Sequence, residues 1–238
     1  MTDQLVFDFP IHEEMTFDTF VVCEGNRHAV TFLHQILEGN SPETSLYIHG
    51  PSGSGKSHLL AATARLLGGA PLFSFREGDG ASSTVVRSSL QRRFSHAPAL
   101  LLDDFHLIPP DPAIHRVVWQ LYNDYHTTRK PIVIAASTPP KDLSPIDDHL
   151  SSRLLWGLVA RVDVSDDRSR RMIMKKLAAD RNVVLPLDVI EYLLTRLPRS
   201  IPNLRAALDR IVRHAVATKR RITVPLAREA LDMTPPKG

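Results

Sequence analysis

From Asn26 to Leu37, apolar residues at Ala29, Val30, Phe32, Leu33, Ile36 and Leu37 recur at helical spacing and predict an amphipathic helix. The pattern then changes. Ser45–His49 is a short apolar run that predicts a buried strand leading straight into a glycine-rich turn, and Lys56–Leu67 returns to helical spacing. The alternation repeats down the chain: Pro71–Phe75, Ala99–Asp103, Ile132–Ala136 and Leu158–Val164 predict strands, while Ser83–Phe94 and Ala113–His126 predict helices. Pro112 suits the first turn of the second of these helices. Strands alternating with helices imply an α/β fold with a five-stranded parallel sheet covered on both faces. After Asp166 the strand signal stops, and Arg168–Arg181, Leu187–Leu197, Ile201–Lys219 and Pro225–Leu231 all read as helices. The expected organisation is a tether over residues 1–15, an α/β domain over 16–165 and a small all-helical domain over 166–238.

Composition narrows the class. The 238 residues are 43% hydrophobic and 23% charged, which excludes intrinsic disorder and allows a sizeable core. A single cysteine, Cys23, excludes a disulfide scaffold. No apolar run approaches the roughly 18 residues of a membrane helix. The N-terminus carries Asp3 and Asp8 where a signal peptide would be basic and then apolar, so a soluble cytoplasmic protein with no membrane partner is expected. The 11 histidines form no HxxxH or HExxH pair, and no zinc site is read.

Charge is unevenly spread. Residues 1–167 hold 13 Lys and Arg against 20 Asp and Glu, whereas residues 168–238 hold 16 against 6. A basic C-terminal segment suits nonspecific contact with DNA or with an acidic partner. Solvated helix faces account for the same count, and both readings stay open.

The densest chemistry lies in Gly50-Pro51-Ser52-Gly53-Ser54-Gly55-Lys56-Ser57, which fits GxxxxGK[ST] at every fixed position, after an apolar strand and before a helix. Glycines let such a backbone wrap a phosphate with its N–H groups pointing inward, and the helix N-terminus adds positive potential there. Lys56 is placed to reach the terminal phosphates and Ser57 to offer a hydroxyl to Mg²⁺. Forty-seven residues beyond Lys56, Asp103 and Asp104 end an apolar strand. Asp103 is expected to hold the metal and Asp104 to orient the attacking water. Alone, such a pair is an ordinary strand end; paired with the loop it completes a nucleoside triphosphate site. Ser137, ending the fourth strand, could sense the last phosphate or simply begin the Thr138-Pro139-Pro140 turn. Arg153 could stabilise transition-state charge in a neighbouring site, or be a surface charge.

With these residues in order, the chain resembles the AAA+ ATPases, and more narrowly the ATPase region of the bacterial replication initiator DnaA. Thr16-Phe17-Asp18-Thr19-Phe20-Val21-Val22, followed by Asn26, resembles that family's adenine-flanking segment, and Leu150-Ser151-Ser152-Arg153-Leu154 its arginine-finger box. The resemblance implies ATP or ADP with Mg²⁺ as cofactors, held by Val21, Val22, Asn26, the loop from Pro51 to Ser57 and the adjacent His58. It also implies Arg153 acting in trans and a helical lid. The full initiators carry an N-terminal interaction domain and a C-terminal helix-turn-helix domain, for which this chain has no room. The expected group is therefore the Hda family of short DnaA homologues, which promote DnaA inactivation. Gln4-Leu5-Val6-Phe7-Asp8-Phe9 resembles that family's sliding-clamp-binding peptide. In an extended peptide Leu5, Phe7 and Phe9 face one way into a groove while Gln4 bonds at its edge; an edge strand folding back on the body is the simpler alternative.

One departure stands out. Aligning Ala207-Leu208-Asp209-Arg210 with the family's lid helix puts Pro202 where a sensor arginine belongs. Arg199 and Arg205, each three residues away, could substitute; if neither does, poor discrimination of ATP from ADP and weak hydrolysis by the chain itself are expected. DnaA and the sliding clamp are the expected partners, with a homodimer left open. The competing classes are a self-contained ATPase of helicase-loader type and a DNA-binding module using the basic lid.

Overall fold

The computed structural model describes residues 15–76, 80–143, 146 and 148–232. After a turn of 3-10 helix at Glu24–Asn26 come α1 (Arg27–Leu37), β1 (Ser45–His49), α2 (Lys56–Leu66), β2 (Leu72–Ser74), α3 (Ser83–Phe94) and β3 (Leu100–Asp103). Then follow α4 (Pro112–Thr127), β4 (Ile132–Ala136), α5 (Asp148–Leu154) and β5 (Leu158–Arg161), and last the helices α6 (Asp167–Asp180), α7 (Leu187–Arg196), α8 (Ile201–Thr218) and α9 (Val224–Asp232). None of the described helices is long and apolar enough to cross a membrane.

The strands form one sheet in the order β2-β3-β4-β1-β5, every pairing parallel. The inner strands β1, β3 and β4 are buried at nearly every position, which leaves no face fit for water, so helices cover both. Alternate side chains divide between two cores accordingly. Tyr47, Leu100, Leu102, Ile132 and Ile134 pack with Val86, Leu90 and Phe94 of α3 and Ile114, Val118 and Tyr122 of α4. Leu46, Ile48, Leu101, Val133 and Ala135 pack on the other face with Leu33 of α1 and Leu59 and Leu60 of α2.

The four C-terminal helices have a core of their own, built around Met174, Ile190, Leu193, Leu208, Ile211 and Leu226. Asp166 caps α6 by accepting from the Ser169 N–H (2.8 Å). Arg181, whose side chain is 1% exposed, ties α6 to α8 through Asp209 (2.7 Å) and also donates to Leu177 O.

Two elements differ from the sequence pattern by more than one residue at an end. Residues 148–154, for which periodicity predicts nothing, form α5, a helix of seven residues that buries Leu150 and Leu154. The last strand stops earlier than its apolar residues suggest. Val162 N–H still donates to His49 O (2.7 Å), but Asp163 N–H turns away to Gly25 O (2.8 Å), so the chain leaves the sheet for the segment before α1. That approach needs a residue without a side chain at position 25, because a Cβ there would lie within bonding distance of the Asp163 carbonyl. Gly25→Ala should lower the unfolding free energy by about 1–3 kcal/mol, read from urea denaturation; an unchanged midpoint would show that the two segments part without cost.

Candidate functional site

β1 delivers the chain at His49 to the glycine-rich loop, and α2 begins at Lys56, so the loop sits at the C-terminal edge of the sheet where parallel folds bind ligands. Gly53 (φ 76°) and Gly55 (φ 103°) take left-handed conformations that other residues adopt only under strain. Lys56 is buried, and its Nζ donates to Gly50 O (2.7 Å) and Pro51 O (2.9 Å). Burial pushes its ammonium pKa down, and the nearby Asp103 and Asp104 carboxylates push it back up. Ser54 Oγ is buried in the loop with no hydrogen bond among the described residues, whereas Ser57 is exposed.

At the end of β3, Asp103 is only 4% exposed, and its Oδ1 accepts from the Asp104 N–H (2.7 Å). Asp104 itself adopts a left-handed conformation (φ 49°, ψ 37°). Its carboxylate is engaged across the sheet by Ser74 Oγ (3.0 Å) and Arg76 Nε (3.2 Å) at the exit of β2. Burial raises the Asp104 pKa, but the bonds from Arg76 and Ser74 and the guanidinium charge outweigh it and hold the carboxyl below its ordinary range. A carboxylate held this way is a poor base. Ser137 N–H donates to His106 Nδ1 (3.2 Å), which requires that nitrogen to be unprotonated. Burial lowers the His106 pKa further, with Lys56 and Arg76 adding to it and the two aspartates opposing. Ser137 thus stands beside His106, two residues after the acids.

These donors fit a nucleotide phosphate with its magnesium. The loop amides, the Lys56 ammonium and the orphaned Ser54 hydroxyl suit the phosphate, and Ser57 with Asp103 suits the metal. Among the described residues no group of three His, Cys, Asp or Glu side chains could hold a metal without such a phosphate.

The segment before α1 closes one side of the loop. Asn26 is buried, and both ends of its amide are used: Oδ1 accepts from Cys23 N–H (2.9 Å) and Nδ2 donates to Val21 O (2.9 Å). It therefore shapes the turn that carries Val21 and Val22, and Val22 stays 45% exposed. His58 bridges α2 to the same segment, its Nε2 donating to Thr16 O (2.8 Å) beside Thr19 Oγ1 (3.2 Å), with Phe20 edge-on.

The lid closes the other side. A cavity of about 240 Å³ opens between Pro51–Ser54, Val164–Ser165, Arg170 and Arg199–Ile201. Pro202 lies directly over the loop, and a Cβ at Gly53 would fall 2.5 Å from its Cδ. Arg170 and Arg199 both reach the Asp167 carboxylate (3.2 and 3.1 Å) at the rim of this cavity. The spacing of the sequence gave no sign of Arg76, His106 or Arg170 at the site, because each arrives from a different element.

Arg153 lies elsewhere. It is in the last turn of α5, and the chain then passes through Gly157, packed against Ser45, to Leu158, which pairs with Leu46. Tyr122, whose hydroxyl donates to Ser45 Oγ (2.9 Å), feels the Arg153 charge. Arg153 is thus at the N-terminal edge of the sheet, a strand length of about 15 Å from the loop that leaves the opposite end of β1. Gln4, Leu5, Phe7 and Phe9 lie outside the described residues.

A parallel sheet with a phosphate loop after an inner strand, acids at the end of the strand beyond its neighbour and a helical lid over the loop defines a P-loop domain of the AAA+ class. The chain belongs to the bacterial DnaA ATPase domain family, which it matches over residues 11–68 and 83–161, and residues 167–231 match the Hda lid domain. It is 30% identical over 238 residues to the chromosomal replication initiator DnaA of Symbiobacterium thermophilum, covering 95% of this chain but 52% of that protein. The chain thus spans about half the length of that relative. Domain III of the Thermotoga maritima initiator has a similar fold, with a TM-score of 0.73, 24% identity and coverage of 94% of this chain and 98% of that one. So does AMPPCP-bound DnaA from Aquifex aeolicus, with a TM-score of 0.73, 24% identity and coverage of 83% and 64%.

Replacing Arg76 with Ala should raise the Asp104 pKa toward its ordinary value of 3.8, read by NMR titration of the side-chain carboxyl carbon. Because the folded-state pKa is depressed, the stabilisation from this pair is complete above the unfolded pKa and is lost as pH falls through the folded one. An unchanged titration in the variant would assign the shift to Ser74 and His106.

Proposed function

We propose that this chain is an adenine-nucleotide-binding regulator of bacterial replication initiation that presents Arg153 to the ATP site of a DnaA molecule and promotes hydrolysis there. The observation that carries this reading is the position of Arg153, a strand length away from the chain's own phosphate loop. A cation on that edge cannot serve its own site, and it is free to meet a site brought by another molecule. Arg153 is then the catalytic contribution made in trans, stabilising charge that develops on the transferring phosphoryl group.

The nucleotide held by the chain itself is ATP or ADP with Mg²⁺, in the loop residues Pro51–Ser57 with Val21 and Val22 beside the base. AMPPCP in the Aquifex aeolicus initiator supports this assignment. Asp104, engaged by Arg76, and Pro202, apolar where the family's sensor arginine stands, both favour a chain that hydrolyses its own nucleotide slowly. Residues Gln4 to Phe9 dock on the sliding clamp, and the protein works in the cytoplasm. Exposed Lys219, Arg220, Arg221 and Arg228 at the far end of the lid offer nonspecific phosphate contacts to nearby DNA.

Single-turnover hydrolysis of ATP preloaded on DnaA, with clamp-loaded DNA, tests the reading. The wild-type chain should accelerate it, and Arg153→Ala should remove about 10³–10⁵ of a fully finger-dependent rate. No acceleration by the wild-type chain sinks the proposal, and saturable hydrolysis by the chain alone would point to a self-contained ATPase. For the chain's own nucleotide, Lys56→Ala should weaken ADP binding roughly ten- to hundredfold by calorimetry, while wild-type affinities for ATP and ADP should be of one order.

A further inference from the structure

The chain has two tryptophans, and both lie against Arg153. The guanidinium carbon is 3.6 Å from the ring centroid of Trp156 and 6.0 Å from that of Trp119. The backbone sets the closer contact. Trp156 N–H donates to Arg153 O (3.1 Å) in the turn that ends α5, which folds the indole back over the side chain three residues before it. The indole is supported from behind by His126 (centroids 6.1 Å apart), which in turn stacks on Tyr122 of α4 (6.1 Å). Arg153 Nε is buried with no hydrogen bond, and no carboxylate pairs with this arginine among the described residues.

We propose that Trp156 is a positioning residue for Arg153: its indole holds the guanidinium by the face and leaves the N–H donors unengaged. This rests on the reading that Arg153 acts in trans. A carboxylate partner would hold the arginine equally well, but through the donors that a phosphate needs, and that ion pair would have to break before each encounter. Stacking uses the flat face of the group and leaves its in-plane donors available. It also restricts a side chain that otherwise samples many rotamers, so less freedom is lost when the phosphate is met. Trp156 is 54% exposed, so a docked partner can reach the stacked pair without unfolding the turn.

Two measurements on the full chain, with nucleotide and clamp-loaded DNA, test this. In single-turnover hydrolysis of DnaA-bound ATP, Trp156→Ala should lower the limiting rate constant by about three- to thirtyfold, leave the half-saturating concentration of this protein unchanged, and be largely rescued by Trp156→Phe. In a Trp119→Phe background, Trp156 is the sole tryptophan, and its emission should shift when Arg153 is replaced by Ala. A wild-type rate in Trp156→Ala beside a lost rate in Arg153→Ala would overturn the positioning role and leave the proposed function intact. A raised half-saturating concentration with an unchanged limiting rate would make Trp156 a docking contact and also overturn it. Should Arg153→Ala itself hydrolyse as wild type does, both readings fall together. The fluorescence arm keeps the stack testable if Trp156→Ala does not fold, since identical emission with and without Arg153 would refute it.

Discussion

β1 is paired on both edges, by β4 and β5, and packed on both faces, and that enclosure governs the rest of the molecule. A strand held on four sides cannot slip, because a shift of one residue would exchange Tyr47 with Leu46 or Ile48 and turn each toward the wrong core. The glycine-rich loop leaves one end of this strand, and the Ser45–Gly157 contact that seats Arg153 and Trp156 is at the other. The spacing between phosphate loop and arginine is therefore a property of the sheet. Loop flexibility does not set it.

The lid joins this frame through few contacts and keeps its own core. The chain crosses over by way of Val162 and Asp163, which still bond to His49 and Gly25, and then enters α6 at the Asp166 cap. The segment that flanks the loop on one side and the helix that flanks it on the other are thus fixed by adjacent residues. Within the lid several cations are already engaged. Arg170 and Arg199 share Asp167, Arg171 meets Glu191, Lys176 meets Asp180, and Arg181 is buried on Asp209. The other exposed cations are spread over the lid, at Arg168, Lys175, Arg196 and Arg213 as well as at Lys219, Arg221 and Arg228.

Much of this could be read from the chain before any coordinates. Three elements, β1, β4 and α3, have the ends that their apolar patterns predict, and the phosphate loop stands between a strand and a helix as its motif requires. What was not legible depended on neighbours across the sheet. Nothing local says that Arg76 meets Asp104, because that contact follows from β2 lying beside β3. Helix α5 buries only two leucines in seven residues, too few for a periodic signal, so the three-residue spacing of Arg153 and Trp156 could not be read as a contact. Asn26 and His58 show the converse. The resemblance assigns both to the ligand, yet the Asn26 amide and the His58 Nε2 hold the backbone that shapes the pocket.

Pro202 presents its pyrrolidine ring to Gly53, with Cδ and Cγ foremost. A lid that closed on the loop through an arginine would be screened by salt and would tighten or loosen with the charge beneath it. A pyrrolidine ring on a glycine is indifferent to both. Ionic strength therefore acts differently on two parts of one small domain: the field of its exposed cations is screened as salt rises, while its seat on the phosphate loop does not change.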